Sequence, residues 1–218
     1  MNQGTSNYQK FLKKKAKSEI KANVKKSLFK NNKIRYIRKV CTDRGKNIPI
    51  ELKNLKISKG KIIELGCNSG KNLEILRKQG YKDLTGIDVN KYAIERMKKV
   101  YPELYKITSK KIGLIENITD TINDIYDLSF TIAVLIHINS KERSKIYKWL
   151  SDHSRYIIFI EKNFGGIKLE EGRIIKNNIY PRDELEKLGF EFVKFSNLNN
   201  VTGLTKYKML VMKNTKIL

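Results

Sequence analysis

The chain has 218 residues, of which 40% are hydrophobic and 31% charged. These proportions suit one domain with an appendage and argue against a disordered chain, a solenoid or a two-domain enzyme. Lys and Arg outnumber Asp and Glu by 46 to 22, a net charge of +24. Residues 1–61 hold 19 of these cations and three acids, or +16, so the other 157 residues carry only +8. The basic excess is concentrated near the N-terminus.

Cysteine usage and hydropathy exclude several classes of protein. Cys41 and Cys67 lack a C-x-x-C spacing, which argues against a disulfide framework and a structural zinc site. The longest apolar runs span about five residues, far short of the roughly 18 that cross a bilayer. Lysines stand where a secretion signal would need an apolar core. We therefore expect a cytoplasmic protein with neither a metal nor a transmembrane segment.

The first 56 residues are predicted to form a basic helical extension and linker. Apolar residues recur every four positions over 8–29, with Lys at nearly every other position, which predicts an amphipathic helix. A second helix is predicted at 34–40 and a linker at 42–49. The first helix could lay its apolar stripe on the main domain, or residues 1–40 could bind nucleic acid or an anionic membrane surface.

Over residues 57–218, short apolar runs alternate with amphipathic segments, which is typical of β-α units in a parallel sheet. The last two apolar runs are joined by a polar loop, which predicts an antiparallel hairpin at the sheet edge. The predicted fold class is α/β: a doubly wound, mostly parallel seven-stranded sheet with an antiparallel C-terminal edge hairpin. Strands are predicted at 61–65, 84–88, 111–115, 128–135, 156–160, 190–195 and 206–212. Helices are predicted at 72–78, 92–100, 141–150 and 182–188.

The strongest motif is the strand 61–65 running into Gly66-Cys-Asn-Ser-Gly70 and then a helix. Such a turn places a ligand at the carboxyl edge of a sheet. The dinucleotide fingerprint G-x-G-x-x-G would need a glycine at Asn68. The phosphate loop would need one more residue between the glycines and a hydroxyl at Asn72. Neither nucleotide motif therefore matches.

What remains is acid-x-Gly-x-x-x-Gly, from Glu64 to Gly70, with Asp88 ending the next predicted strand 24 residues after Glu64. This pattern resembles the class I S-adenosylmethionine-dependent methyltransferases over most of residues 57–218. The resemblance implies methyl transfer with S-adenosylmethionine as cofactor. More narrowly, ELGCNSG, FT at 130–131, VLIHIN at 134–139 and EKNF at 161–164 are similar to the pseudaminic acid biosynthesis-associated methylases.

The resemblance also implies a cofactor site. The turn, together with Thr131 and Ala133, would line the methionine part of S-adenosylmethionine. Asp88 would accept the ribose hydroxyls, although it could instead be a helix cap or turn acid, and Glu64 would offer negative charge to the ammonium and sulfonium. Asn117, with Glu116 as the second candidate, would lie near the adenine. The implied cofactor-binding residues are Glu64, Gly66, Cys67, Asn68, Ser69, Gly70, Asp88, Val89, Asn117, Thr131 and Ala133.

Two residues at the ends of the fourth and fifth predicted strands, His137 and Glu161, are the catalytic candidates. The methyl group of a sulfonium is already activated, so the enzyme mainly aligns donor and acceptor in a dry site, without a metal. A base helps if the acceptor is a hydroxyl or a protonated amine. His137 can move a proton near neutral pH or be a structural histidine. Glu161 can be a base or a loop anchor.

The expected function is methyl transfer to a small-molecule or glycan-precursor acceptor, such as a sugar of surface polysaccharide biosynthesis. One alternative is an RNA or protein methyltransferase that holds its substrate with the basic N-terminal helix, although no Asn-Pro-Pro-aromatic motif is present. The other is a non-catalytic binding module of the same fold, against which the intact set of Glu64, Gly66, Gly70 and Asp88 argues. The acceptor and the oligomeric state stay open.

Overall fold

A computed structural model describes residues 44–161, 181–198 and 207–217. They contain a seven-stranded sheet in the order β3-β2-β1-β4-β5-β7-β6. Neighbouring strands from β1 to β5 are parallel, and β7 runs antiparallel to both β5 and β6. The predicted sheet with its antiparallel C-terminal hairpin is thus confirmed. The strands are β1 Ile62–Leu65, β2 Leu84–Asp88, β3 Thr108–Ile112, β4 Tyr126–Ile132, β5 Ser154–Glu161, β6 Phe190–Leu198 and β7 Tyr207–Asn214.

Helices connect the strands and cover both faces of the sheet. They are α1 Asn47–Asn54, α2 Lys71–Lys78, α3 Lys91–Val100, α4 Pro102–Ile107, α5 Ile115–Ile118, α6 Ser140–His153 and α7 Pro181–Lys187. Two 3₁₀ turns lie at Thr119–Thr121 and Leu135–His137. The helices predicted at 8–29 and 34–40 lie outside the described residues. Within the described ranges, no helix is both long and apolar enough to span a membrane.

The core explains why β1 is buried along its whole length. β1 lies between β2 and β4 in the sheet, and all four of its residues are buried. Successive side chains of a strand point to opposite faces. Ile63 joins one apolar cluster with Trp149, while Ile62 joins the other with Leu73. Both faces of β1 are thus covered, as expected for the centre of a parallel sheet, and Glu64 is its one polar residue.

The predicted linker at 42–49 is partly wrong, because α1 begins at Asn47. Ile48 and Leu52 of this helix are fully buried in the core. Pro49 is compatible with the helix because the N–H groups of a first helical turn have no partner within the helix. The boundary between an extension of 1–56 and a domain of 57–218 stays a prediction.

Two predicted strands are displaced in the structure. β3 spans Thr108–Ile112 rather than 111–115, because Gly113 already bonds to the carbonyl of Asp88 and Ile115 begins a helix. β4 ends at Ile132 rather than at 135, because Ala133 adopts a left-handed backbone with φ of 58°. Both shifts lie at the carboxyl edge of the sheet, where the predicted site is located.

Candidate functional site

The turn between β1 and α2 is a tight loop with three left-handed residues. Gly66, Asn68 and Gly70 have φ of 83°, 50° and 76°. The N–H groups of Gly66 and Cys67 both donate to the carbonyl of Ile87 in β2, at 2.8 and 2.9 Å. Asn68 tolerates the left-handed region better than most residues, and its side-chain oxygen accepts the N–H of Ser69 at 2.8 Å. The turn is thereby fixed to the end of the neighbouring strand.

Gly66 and Gly70 are also required by packing. A methyl group on Gly66 would overlap the side chain of Val134, which follows β4. A methyl group on Gly70 would overlap Met97 of α3 and Leu104 of α4. The two glycines therefore let the turn approach its neighbours closely.

Asp88 ends β2 and holds the turn from the other side. One carboxylate oxygen accepts the N–H of Asn68 at 2.7 Å, and the other accepts the N–H of Asn90 at 2.8 Å. The cap of α3 is Asn90, whose side chain accepts from the N–H of Tyr92. Asp88 is therefore not that helix cap. Its bond to the N–H of Asn90, two residues on, makes it an acid of the turn.

Glu64 is almost fully buried beside this turn. Its Oε1 accepts the side-chain amide of Asn72 at 2.6 Å, and its Oε2 has no hydrogen-bond partner among the described residues. Burial, with a smaller contribution from Asp88, raises the pKa of Glu64 to about 8, against a lowering by Asn72. Burial thus favours the neutral form of Glu64.

The residues after β4 form a second loop at the same edge, which we define as the β4 loop, residues 133–138. Glu161, at the end of β5, is fully buried against it. Its Oε1 accepts from the hydroxyl of Thr131 at 3.0 Å and from the N–H groups of Val134 and Leu135 at 2.9 and 3.0 Å. Burial raises the pKa of Glu161, although these donors lower it. These are the contacts of a loop anchor.

The other predicted site residues lie around the same edge. His137 is exposed in the β4 loop and Val89 follows Asp88 half-buried. Asn117 is exposed on α5, while Glu116 is half-buried there. The structure brings this helix near the turn because the N–H of Gly113 donates to the carbonyl of Asp88 at 3.1 Å.

Three further residues at this edge were not among the predicted site residues. Asn72 bonds to Glu64, Val134 occupies the space above Gly66, and Arg143 of α6 donates to two carbonyls of the β4 loop. No spacing rule identifies an amide one turn into a helix or a buried arginine in the polar stretch Ser140–Tyr147. Their partners are distant in the chain or lie in irregular backbone.

A groove of about 630 Å³ lies at the opposite edge, near the amino ends of β1, β2 and β4. Two of its cations are already paired, Lys61 with Asp124 at 2.7 Å and Arg155 with Asp127 at 3.1 Å. Ligands of open α/β sheets bind at the carboxyl ends of the strands. The groove is therefore not the candidate site. The described ranges contain no group of three or more His, Cys, Asp or Glu placed to hold a metal ion.

Comparison with known proteins supports one chemistry for this edge. A family model described as a methyltransferase domain matches residues 9–164, more than half of the chain. The match includes the glycine turn, Asp88, the β4 loop and Glu161. A search of curated protein sequences found no significant match.

Solved structures share the fold. The methyltransferase domain of bacterial CtHen1-C is 19% identical with a TM-score of 0.60, over 80% of this chain and 98% of that one. Magnesium protoporphyrin IX methyltransferase (ChlM) from Synechocystis PCC 6803, solved with bound S-adenosylmethionine, is 16% identical with a TM-score of 0.63, over 86% of both chains. A putative RNA methyltransferase, PH1948 from Pyrococcus horikoshii, is 12% identical with a TM-score of 0.60, over 78% of this chain and 83% of that one.

The substitution Gly66→Ala should destabilise the protein more than Gly80→Ala. Both glycines have positive φ, but a methyl group at Gly80 would contact nothing within 4 Å. The left-handed backbone should therefore cost about 1–2 kcal/mol at either site. The overlap with Val134 should add about 1–3 kcal/mol at Gly66 alone. Urea unfolding measures both losses, and equal losses would contradict the close packing at Gly66.

The substitution Glu64→Gln should remove a pH dependence of stability. Because the folded-state pKa of Glu64 is raised from 4.5 to about 8, its stabilising effect is complete below about pH 4.5 and is lost as the pH rises through 8. The free energy of unfolding of the wild type should therefore fall, relative to Glu64→Gln, between pH 5 and 8. Parallel curves from urea unfolding across this range would show that Glu64 titrates normally.

Proposed function

This chain belongs to the methyltransferase-domain family and is an S-adenosylmethionine-dependent methyltransferase, and we propose that it methylates a small molecule or a glycan precursor. The observation that carries the site assignment is the glycine turn bonded to Asp88 at the carboxyl edge of the sheet. The acceptor is inferred from charge and motif, and the fold does not select it.

The residues at this edge fit the cofactor. Glu64 has a buried oxygen without a hydrogen-bond partner among the described residues, which suits a positively charged ligand group. A carboxylate offers about four acceptor positions, so that of Asp88 suits a pair of ribose hydroxyls. These features would hold the amino acid and ribose parts of S-adenosylmethionine.

We assign the remaining predicted residues to the same site. Asn68, Ser69 and Gly70 would line the methionine part through their backbone and small side chains, and Cys67 through its backbone, because its side chain is buried in the core. The rest of the proposed set is Val89 and Asn117 at the adenine, and Thr131 and Ala133 at the methionine. Thr131 would act through its neighbours, because its hydroxyl donates to Glu161.

When bound, S-adenosylmethionine supplies a methyl group on a positively charged sulfur. The chain's own task is then to align an acceptor, exclude water and remove a proton. We propose that His137 takes this proton, since it is exposed at the site edge and histidine is the side-chain type best suited to moving protons near neutral pH. Glu161 is a weaker candidate for the base because its Oε1 already accepts from three donors.

The charge distribution supports a small acceptor. Residues 62–218 carry only +8 of the net charge, which is a weak electrostatic footprint for a surface that binds nucleic acid. The narrower motif resemblance, at 134–139 and 161–164, supports a sugar of surface polysaccharide biosynthesis. Two cysteines without a paired spacing support a cytoplasmic location.

The alternative is an RNA or protein substrate held by residues 1–40. The +16 charge of residues 1–61 favours it. Among proteins of this fold, ChlM is named for a porphyrin and PH1948 as a putative RNA methyltransferase. Both acceptor classes are thus compatible with the fold.

The substitution Asp88→Asn should weaken binding of S-adenosylmethionine and of its demethylated product by at least about tenfold, because a hydrogen bond to a charged acceptor is lost. Calorimetric titration measures both affinities. Asp83→Asn is the matched control, because Asp83 is exposed and precedes β2. Unchanged affinity in Asp88→Asn, or no binding by the wild type, would contradict the proposed site.

The acceptor class can be decided with methyl-labelled S-adenosylmethionine and two acceptor pools, nucleotide sugars and total RNA. We expect label in a nucleotide sugar, at the same rate when Lys13, Lys14, Lys15 and Lys17 are all changed to Gln. Label in RNA that is lost in this variant, with unchanged cofactor affinity, would favour the alternative. A salt series provides a further control, because binding to phosphates weakens steeply with salt.

A further inference from the structure

The β4 loop is contacted on its N–H side by a buried carboxylate. Glu161 accepts from the N–H groups of Val134 and Leu135, and the N–H of Ile136 also lowers its pKa. Thr131, the next-to-last residue of β4, donates its hydroxyl to the same oxygen. One carboxylate oxygen thus fixes the start of the loop to the end of β5.

The same loop is contacted on its carbonyl side by a buried guanidinium. Nη1 of Arg143 donates to the carbonyl of Leu135 at 3.3 Å and to that of Ile138 at 2.7 Å. Arg143 is only 7% exposed. Arginine is rarely buried to this extent unless its charge is compensated. Here the compensation comes from backbone carbonyls of the loop.

The loop needs such support because its backbone is strained. Ala133 is a non-glycine residue with φ of 58°, a conformation that persists when the surrounding structure over-determines it. The next residue, Val134, fills the space beside Gly66 that a side chain would otherwise occupy. A shift of the loop would therefore change the contact with the glycine turn.

We propose that Glu161 and Arg143 are positioning residues that bind the backbone of the β4 loop from its two sides. Through the loop they hold Val134 against Gly66 and determine the position of His137. The pair acts through the loop backbone and not on the acceptor. This assignment rests on the proposed function, which places Gly66 in the cofactor site and makes His137 the base. It changes the expected role of Glu161 from base to anchor and adds Arg143, which the motif does not include.

Tyr147 provides a matched control within the same buried cluster. Its hydroxyl is buried without a hydrogen-bond partner among the described residues. Burial raises the pKa of Tyr147, Arg143 lowers it and Glu161 raises it, so the ring lies near both charges. Yet the Tyr147 hydroxyl forms no hydrogen bond with the backbone of the β4 loop. Tyr147→Phe alters the cluster and leaves the hydrogen bonds of Glu161 and Arg143 to the loop intact.

The test compares Glu161→Gln, Glu161→Ala, Arg143→Met and Tyr147→Phe. The chain has two histidines, so its imidazole NMR spectrum contains two signals, which a His153→Gln variant assigns. His137 reports on the β4 loop. His153 stacks on Trp149 at 5.0 Å and serves as the internal control for global unfolding. Calorimetry with S-adenosylmethionine provides the second measurement.

We expect Glu161→Ala and Arg143→Met to shift the His137 signal, to leave the His153 signal in place and to weaken cofactor binding by at least about tenfold. In Glu161→Gln, the amide oxygen accepts the same donors, so the His137 signal and the affinity should stay near the wild-type values, as in Tyr147→Phe. This rescue would show that the loop requires an acceptor oxygen at Glu161 and not its negative charge.

Two results would overturn the proposal. One is a His137 signal that stays unchanged in Glu161→Ala and in Arg143→Met. The other is a disturbance in Glu161→Gln as large as that in Glu161→Ala. If Glu161→Ala does not fold, the Glu161→Gln and Arg143→Met pair decides the same question. If the wild type binds no S-adenosylmethionine, the proposed function fails. The His137 signal would still test whether Glu161 and Arg143 position the β4 loop.

Discussion

The carboxylate of Asp88 is the interaction on which the candidate site depends. Its two oxygens accept backbone N–H groups from both sides, from Asn68 in the glycine turn and from Asn90 at the start of α3. The carbonyl of Asp88 also accepts from Gly113, which brings the segment after β3 to the same point. Three consecutive β-α connections are therefore aligned by one residue at the end of one strand. The left-handed turn then presents its backbone at the carboxyl edge of the sheet.

Two buried acids at this edge have different surroundings. Glu64 receives one amide hydrogen bond, so its charge is poorly compensated and its pKa rises to about 8. Glu161 is equally buried, but one of its oxygens accepts from a hydroxyl and two backbone N–H groups, which favour the charged form. The first arrangement suits a residue that meets a positive ligand. The second suits a residue that organises its own backbone.

The sequence predicted the sheet, and the gathering of the candidate residues at one edge of it, because both depend on local patterns; the role of those residues stays a prediction. Glu64, Gly66 and Asp88 were identifiable from a strand, turn and helix with a second strand end 24 residues on. The ends of β3 and β4 could not be identified from the sequence. The apolar run from Ile112 to Ile115 suits a strand or a helix, and the contact of Gly113 with Asp88 decides between them. Arg143 could not be predicted because only the tertiary fold buries it, within an otherwise polar helical pattern.

The packing of Gly66 against Val134 has a consequence for how the two positions can vary. Because the side chain of one residue fills the space left by the other, substitutions at the two positions should be energetically non-additive. A smaller residue at 134 would relieve the steric part of an alanine at 66 but not its backbone part, since φ of Gly66 stays at 83°. Positions 66 and 134 lie 68 residues apart in the chain, and the effect of a substitution at one therefore depends on the residue at the other.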